Sequence, residues 1–182
     1  MRLTRTLTAV TAAVALTALT GCGGEADGGP LAALGLPKAD DIGGIEKVIN
    51  KGGTCRELKV DDIAPDVDQR VKDPSFAVKQ TASCKDERGK RATLLLLSDM
   101  KKFQEANKKT LEADPAFNTV YLVGQNFAVV PGGDDGAGGL RKAGLFTMSC
   151  DPKHRSSVPG SSRISEELVK GCFVTDYSPA QS

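Results

Sequence analysis

The stretch FAVKQTASCKDERGKRATLLLL, residues 76–97, decides the fold class. Over residues 76–84 two sets of side chains alternate at period two, which predicts a half-buried strand. The polar residues 85–89 end in glycine and predict a turn, and the short apolar run 92–97 predicts a second strand. We therefore expect an antiparallel hairpin at the centre of the fold.

Two helices are predicted on either side of this hairpin. The first begins at the acidic pair Asp40-Asp41, which can cap it, and stops at Gly52-Gly53. The second is capped by Ser98 or Asp99 and runs to about Ala113. The inward-facing residues of the two helices are Ile42, Ile45, Val48, Ile49, Met100, Phe103, Asn107 and Leu111.

Further strands complete the pattern. A short strand is predicted over 55–60, and the proline- and aspartate-rich stretch 61–74 is predicted to be a loop or a loop with one helical turn. A second hairpin joins 119–123 to 127–130 across Gly124-Gln125-Asn126. The order of elements predicts an α+β fold, in which an antiparallel sheet of about four to six strands has helices packed on one face.

The last 40 residues carry weaker patterns. The stretch 140–150 is compatible with either helix or strand. Ser162 or Ser165 can cap a helix that stops at Gly171, and a last short strand is predicted over 172–177.

The amino terminus has the profile of an export signal. Two arginines and no acid precede an uncharged run, residues 7–20, that is too short to cross a bilayer as a helix. The sequence Leu19-Thr20-Gly21-Cys22 follows, and it resembles the lipobox of bacterial prolipoproteins. The resemblance implies that residues 1–21 are removed and that Cys22 receives the lipid. Two or three acyl chains on one residue make a stable anchor, whereas one chain binds a membrane only marginally.

The mature chain is expected to be a tether followed by one domain. Removal of residues 1–21 shortens the 182-residue chain to 161 residues, which suits one domain and falls short of a two-lobed solute receptor. Residues 22–39 are rich in Gly, Pro and Ala and predict a flexible tether, and 40–182 form the domain. Loss of Arg2 and Arg5 from 24 basic residues, against 23 acidic ones, leaves a balance of −1, so we expect no nucleic acid partner.

Four further cysteines predict two disulfides in an oxidising compartment. They are Cys55, Cys84, Cys150 and Cys172, and no two of them form a C-x-x-C motif. Three pairings are possible, and we expect Cys55–Cys84 and Cys150–Cys172. The first would tie the N-terminal helix to the sheet, and the second would close the polar segment between 151 and 162.

Three segments together resemble small lipoproteins of actinobacteria. They are the helix that ends in Gly52-Gly53-Thr54-Cys55, the strand that ends at Cys84 before a charged turn, and the segment Leu122–Val129. The resemblance covers residues 41–131 and implies the location and the fold. That family carries no assigned activity or catalytic residues to transfer.

Candidate catalytic and metal-binding residues are few. The Gly/Asp segment 132–139 contains Asp134-Asp135 but lacks the spacing of a calcium or phosphate loop, and we expect a mobile surface loop. The only histidine, His154, lies in a polar stretch near Ser156 and Ser157, which predicts an exposed loop and no catalytic triad. We expect no metal and no cofactor. The lysines of the second helix predict its solvated side: Lys101, Lys102, Lys108 and Lys109.

Two classes of function remain from these patterns. The first is a non-catalytic envelope module, held on the outer face of the cell membrane by the lipid on Cys22, that binds an envelope protein, a wall polymer or a small ligand. The second is a small extracytoplasmic hydrolase whose site is assembled from scattered residues. The absence of a nucleophile motif and the single histidine favour the first class.

Overall fold

The structure is a computed structural model that describes residues 29–117 and 119–177. The predicted signal peptide, the lipidation site Cys22 and the first part of the predicted tether lie outside these residues. No helix in the described ranges is long and apolar enough to cross a membrane.

Helices and strands alternate along the described chain. The five α-helices are α1 Pro30–Ala33, α2 Ile42–Ile49, α3 Met100–Ala113, α4 Asp134–Lys142 and α5 Pro152–Ser157. The eight strands of the described residues are β1 Arg56–Val60, β2 Val78–Lys85, β3 Arg91–Leu97, β4 Tyr121–Val123, β5 Phe127–Val130, β6 Phe146–Ser149, β7 Ile164–Ser165 and β8 Phe173–Thr175.

The strands form one antiparallel sheet with the order β1-β2-β3-β5-β4-β6-β8-β7. Both predicted hairpins are confirmed, since β2 pairs with β3 and β4 pairs with β5. The prediction of about four to six strands is wrong, because the described sheet has eight. The two-residue strand β7 was not predicted, because it is too short to show a period, and β6 lies in the stretch 140–150 that was compatible with either helix or strand.

Helices cover both faces of the sheet, and the prediction of helices on one face is therefore wrong. Leu94 and Leu96 of β3 pack with α2 and α4, whereas Leu95 and Leu97 pack with α1 and α3. A strand that is buried on both faces needs an unbroken apolar run, and β3 has one. We call the two apolar layers the α3-side core and the α4-side core. The α3-side core includes Leu31, Leu95, Phe103, Tyr121 and Met148, and the α4-side core includes Ile45, Leu94, Leu122, Val129 and Leu140.

The two predicted helices begin where the sequence indicates. The carboxylate of Asp41 accepts a hydrogen bond from the backbone N–H of Gly44, and that of Asp99 accepts one from Lys102. Each bond satisfies an N–H that has no partner within its own helix. Of the candidate caps, Asp41 caps the first helix and Asp99 caps the second.

The domain begins earlier than predicted. Residues 30–33 form α1, and Leu31 and Leu36 are buried in the α3-side core. Asn126 in the turn between β4 and β5 makes two hydrogen bonds with the backbone of Ala39. A flexible tether over the whole of 22–39 is therefore wrong from Pro30 onward, because Leu31, Leu34 and Leu36 pack this stretch against the α3-side core.

Two predictions for the last 50 residues are also wrong. The segment 132–139 is not a surface loop, because α4 begins within it. Its glycines allow close packing: a Cβ on Gly139 would lie 2.9 Å from the Cα of Gly53. The predicted helix before Gly171 is absent from the described residues, which hold the two-residue strand β7 and turns there. The predicted last strand is β8.

The cysteines pair as predicted. The sulfur atoms of Cys55 and Cys84 lie at disulfide distance, and so do those of Cys150 and Cys172. The first bond lies in the α4-side core beside the β1–β2 pair. The second joins the end of β6 to the start of β8 and closes the segment 151–171, in which no residue is fully buried.

Candidate functional site

A cavity of about 720 Å³ lies at one end of the sheet, where β5 and β6 end and β4 begins. Because β4 is antiparallel to both β5 and β6, the start of β4 and the ends of β5 and β6 lie at the same end of the sheet. We call this cavity the cleft. Its lining includes Asn107, Leu111, Tyr121, Ala137, Arg141, Thr147, Ser149 and His154.

The cleft extends over both faces of the sheet at this end of the strands. Thr147 of β6 is paired with Leu122, which packs in the α4-side core, so Thr147 and Ser149 lie on the α4 face. Met148 lies on the opposite face with Tyr121. The α4 side of the cleft therefore carries a row of hydroxyl groups, and the α3 side carries larger apolar and amide side chains.

One stripe of α4 completes the α4 side of the cleft. Asp134, Ala137 and Arg141 are spaced three and four residues apart and line the cavity together. Partial burial lowers the pKa of the Arg141 guanidinium, and the charge of Asp134 opposes that shift. The guanidinium is thus a partly desolvated donor group beside the hydroxyl row.

Two hydroxyl groups that line the cleft are buried without a hydrogen-bond partner in the described structure: the phenol of Tyr121 and Oγ1 of Thr147. A buried polar group without a partner costs about 1–3 kcal/mol, and native proteins usually supply such groups with a partner, water or ligand. The two hydroxyls are therefore groups in the cleft that could form a hydrogen bond with a ligand oxygen or a water.

The environment of the Tyr121 phenol is strongly apolar. Its ring lies edge-on to Phe103 with centroids 5.0 Å apart. Burial raises the pKa of Tyr121, and the neighbouring Thr119 hydroxyl offsets this only in part, without reaching hydrogen-bond geometry. Tyr121 is therefore a neutral O–H donor at physiological pH.

The prediction that His154 lies in an exposed loop is wrong. It lies on α5, is half-buried, and its Nδ1 is 3.1 Å from Oγ of Ser149. The serines considered from the sequence do not contact the ring through their hydroxyls, since Ser156 and Ser157 donate to the carbonyls of Lys153 and His154. Ser149 was missed because it ends a strand of four residues. The signal that could have found it is Asp151-Pro152, which marks a helix start immediately after that strand.

The remaining candidate residues lie at a helix start, in ion pairs or in solvent. Asp134 and Asp135 form the first turn of α4, and Asp135 pairs with Arg88 at 2.7 Å. Within the described ranges, no group of three or more His, Cys, Asp or Glu side chains could hold a metal ion. Lys101, Lys102 and Lys109 are exposed and Lys108 pairs with Glu112, so the prediction of a solvated helix side is confirmed.

A second cavity of about 480 Å³ lies between the end of α2, the β2–β3 turn and α4. Its lining includes four glycines and the Arg88–Asp135 ion pair. None of the unpartnered buried polar atoms of the described residues lines it. The cleft is therefore the stronger candidate site.

No protein-family model, curated protein or solved structure matches this chain. A function must accordingly be argued from the residues of the cleft and from the sequence of the amino terminus.

Proposed function

We propose that the protein is a lipid-anchored extracytoplasmic module that binds a partner or ligand in the cleft and does not catalyse a reaction. The observation that carries the proposal is the pair of buried hydroxyls, Tyr121 and Thr147, that line one cavity without a partner. The motif Leu19–Cys22 and the two disulfides support the location outside the cytoplasm.

The position of the N-terminal segment supports a cleft that faces away from the membrane. Residues 36–39 are hydrogen-bonded to the turn between β4 and β5, through Gln125 to the carbonyl of Leu36 and through Asn126 to Ala39. That turn lies at the end of the hairpin opposite to the cleft. Cys22 precedes Gly29 by seven residues, which span at most about 25 Å. A lipid on Cys22 would therefore hold the turn end of the sheet near the bilayer.

The proposal is tested by site-specific photo-cross-linking in the native envelope. Asp66 is exposed and lines the cleft, whereas Lys38 is exposed beside the turn end of the sheet. A photoreactive residue at position 66 is expected to capture one partner in high yield, and the same residue at position 38 is expected not to capture it. Capture of that partner from position 38 alone would contradict the proposal.

A hydrolase is the second candidate, and one observation favours it. Oγ of Ser149 and Nδ1 of His154 are within hydrogen-bond reach in the cleft, as a nucleophile and its base must be. A catalytic base also needs an acid to orient it. The acid nearest in sequence, Asp151, is instead used to cap α5 through the backbone N–H of Lys153.

We therefore expect no reaction of the full chain with a fluorophosphonate probe, which phosphonylates an activated serine with loss of fluoride. The measurement is the intact mass after incubation, with Ser156→Ala as a control for adventitious labelling. Labelling that disappears in Ser149→Ala and in His154→Ala, but persists in Ser156→Ala, would establish the hydrolase and contradict the non-catalytic module.

A further inference from the structure

Three side chains that can donate hydrogen bonds line the α4 side of the cleft. Thr147 and Ser149 present hydroxyl groups from alternate positions of β6, and Arg141 lines the same cavity from α4. Hydroxyl and guanidinium donors on neighbouring elements are the set that proteins use for carboxylate and phosphate oxygens.

Thr147 is the residue in this set that most requires a ligand. Its Oγ1 is buried and has no hydrogen-bond partner in the described structure. In the interior of a strand, a threonine in this state is less favourable than valine, which has the same shape and no hydroxyl. A ligand oxygen at this position would remove the penalty by accepting the O–H.

Ser149 can donate to a ligand in one tautomer of His154. Its Oγ accepts a hydrogen bond from the backbone N–H of Asp151 at 3.1 Å, and Nδ1 of His154 lies at 3.1 Å from the same atom. When Nδ1 carries the ring hydrogen, Oγ accepts from both neighbours, and the hydroxyl hydrogen is available to a ligand.

We propose that the α4 side of the cleft binds an oxyanion, a carboxylate or phosphate group of the ligand, between Arg141, Thr147 and Ser149. The proposal rests on the proposed function, since it names the chemistry that the binding module recognises. Asp134 lies on the same stripe of α4 and reduces the positive potential. The isolated anion should therefore bind weakly, through hydrogen bonds as much as through charge.

The test is a titration of the purified full chain in detergent with sodium phosphate and, in a separate arm, with sodium acetate. Sodium chloride at equal ionic strength is the reference. Saturable shifts of the backbone amide NMR signals of residues 147 and 149 are expected in at least one arm, and the arm with tighter binding tells phosphate from carboxylate. Arg141→Gln is expected to weaken binding about 10- to 100-fold, as loss of a charged hydrogen bond does.

Two hydroxyl variants separate a ligand role from a structural one. Thr147→Val is expected to weaken binding roughly 3- to 10-fold while leaving the unfolding midpoint of the free protein unchanged or higher, because the lost hydroxyl had no partner. Ser165→Ala is the matched control, since its Oγ is also buried without a partner but lies outside the cleft, and it should bind the anion as the wild type does.

Two results would overturn the oxyanion site: the absence of saturable shifts with both anions, or equal affinity in the wild type and in Arg141→Gln. Should Thr147→Val fail to fold, the Arg141→Gln comparison decides alone. Cross-linking of a partner from position 66 without anion binding would leave the binding module standing and remove the oxyanion site. Anion binding without a cross-linked partner would establish the oxyanion site and would identify a small ligand, and not an envelope protein, as what the module binds.

Discussion

Replacing Cys22 with alanine is expected to transfer nearly all of the protein from the membrane fraction to the soluble fraction, or to block its processing. Each buried methylene of an acyl chain contributes about 0.8 kcal/mol of membrane affinity, so two or three chains hold the protein stably, and their loss leaves no anchor of comparable strength. The measurement is quantitative immunoblotting of fractionated cells, together with the intact mass of the mature protein.

The matched control for this experiment is Gly24→Ala, which changes a neighbouring residue and leaves Leu19–Cys22 intact. It should remain in the membrane fraction with the mass of a lipidated chain. A mature wild-type protein whose Cys22 carries no lipid would refute the anchor, and with it the argument that the cleft faces away from the bilayer.

The centre of the sheet was predictable because two kinds of local signal agree there. In β2 the side chains alternate, and in β3 an unbroken apolar run follows a glycine-containing turn, so strand type and pairing follow from the sequence. The helix starts were predictable to within one residue, because a short polar side chain before an amphipathic run favours a cap, but the sequence left the choice open between Asp40 and Asp41 and between Ser98 and Asp99.

The number of layers could not be predicted from the same signals. The unbroken run in β3 indicates burial of both faces, yet a run of six residues does not reveal which helices cover them. α4 was hidden because it contains three glycines, which disfavour helices. Gly139 allows α4 to pack against the backbone of Gly53, a contact between residues 86 positions apart that no local pattern records.

The cleft was not predictable because its residues come from six helices and strands: α3, β4, β5, α4, β6 and α5. Tyr121, Arg141, Thr147 and His154 are brought together only by the pairing of β4 with β6 and by the packing of α4 and α5. A strand as short as Phe146–Ser149 shows no recognisable alternation, so its polar residues cannot be assigned to a face from the sequence. The sequence therefore singles out His154 as the only histidine but does not indicate its contact with Ser149.

The double variant Cys150→Ala/Cys172→Ala is expected to lose about 3–4 kcal/mol of unfolding free energy and, in addition, to open the segment 151–171 locally. The first effect follows from the loop of 22 residues that the bond closes in the unfolded chain. The second follows from the native state, because no residue of this segment is fully buried. Without the bond, the segment is held mainly by the two-residue strand β7, the partly buried Leu168 and ion pairs at the surface.

Denaturant unfolding and amide hydrogen exchange separate these two effects. Cys55→Ala/Cys84→Ala is the matched comparison, because its loop of 29 residues has nearly the same closure entropy. Both double variants should lose similar unfolding free energy, but only the first should lose exchange protection across 151–171 while β2 and β3 remain protected. Because α5 places His154 against Ser149, the first variant should also bind phosphate or acetate more weakly. Unchanged protection of 151–171 in that variant would show that packing, and not the disulfide, holds this wall of the cleft.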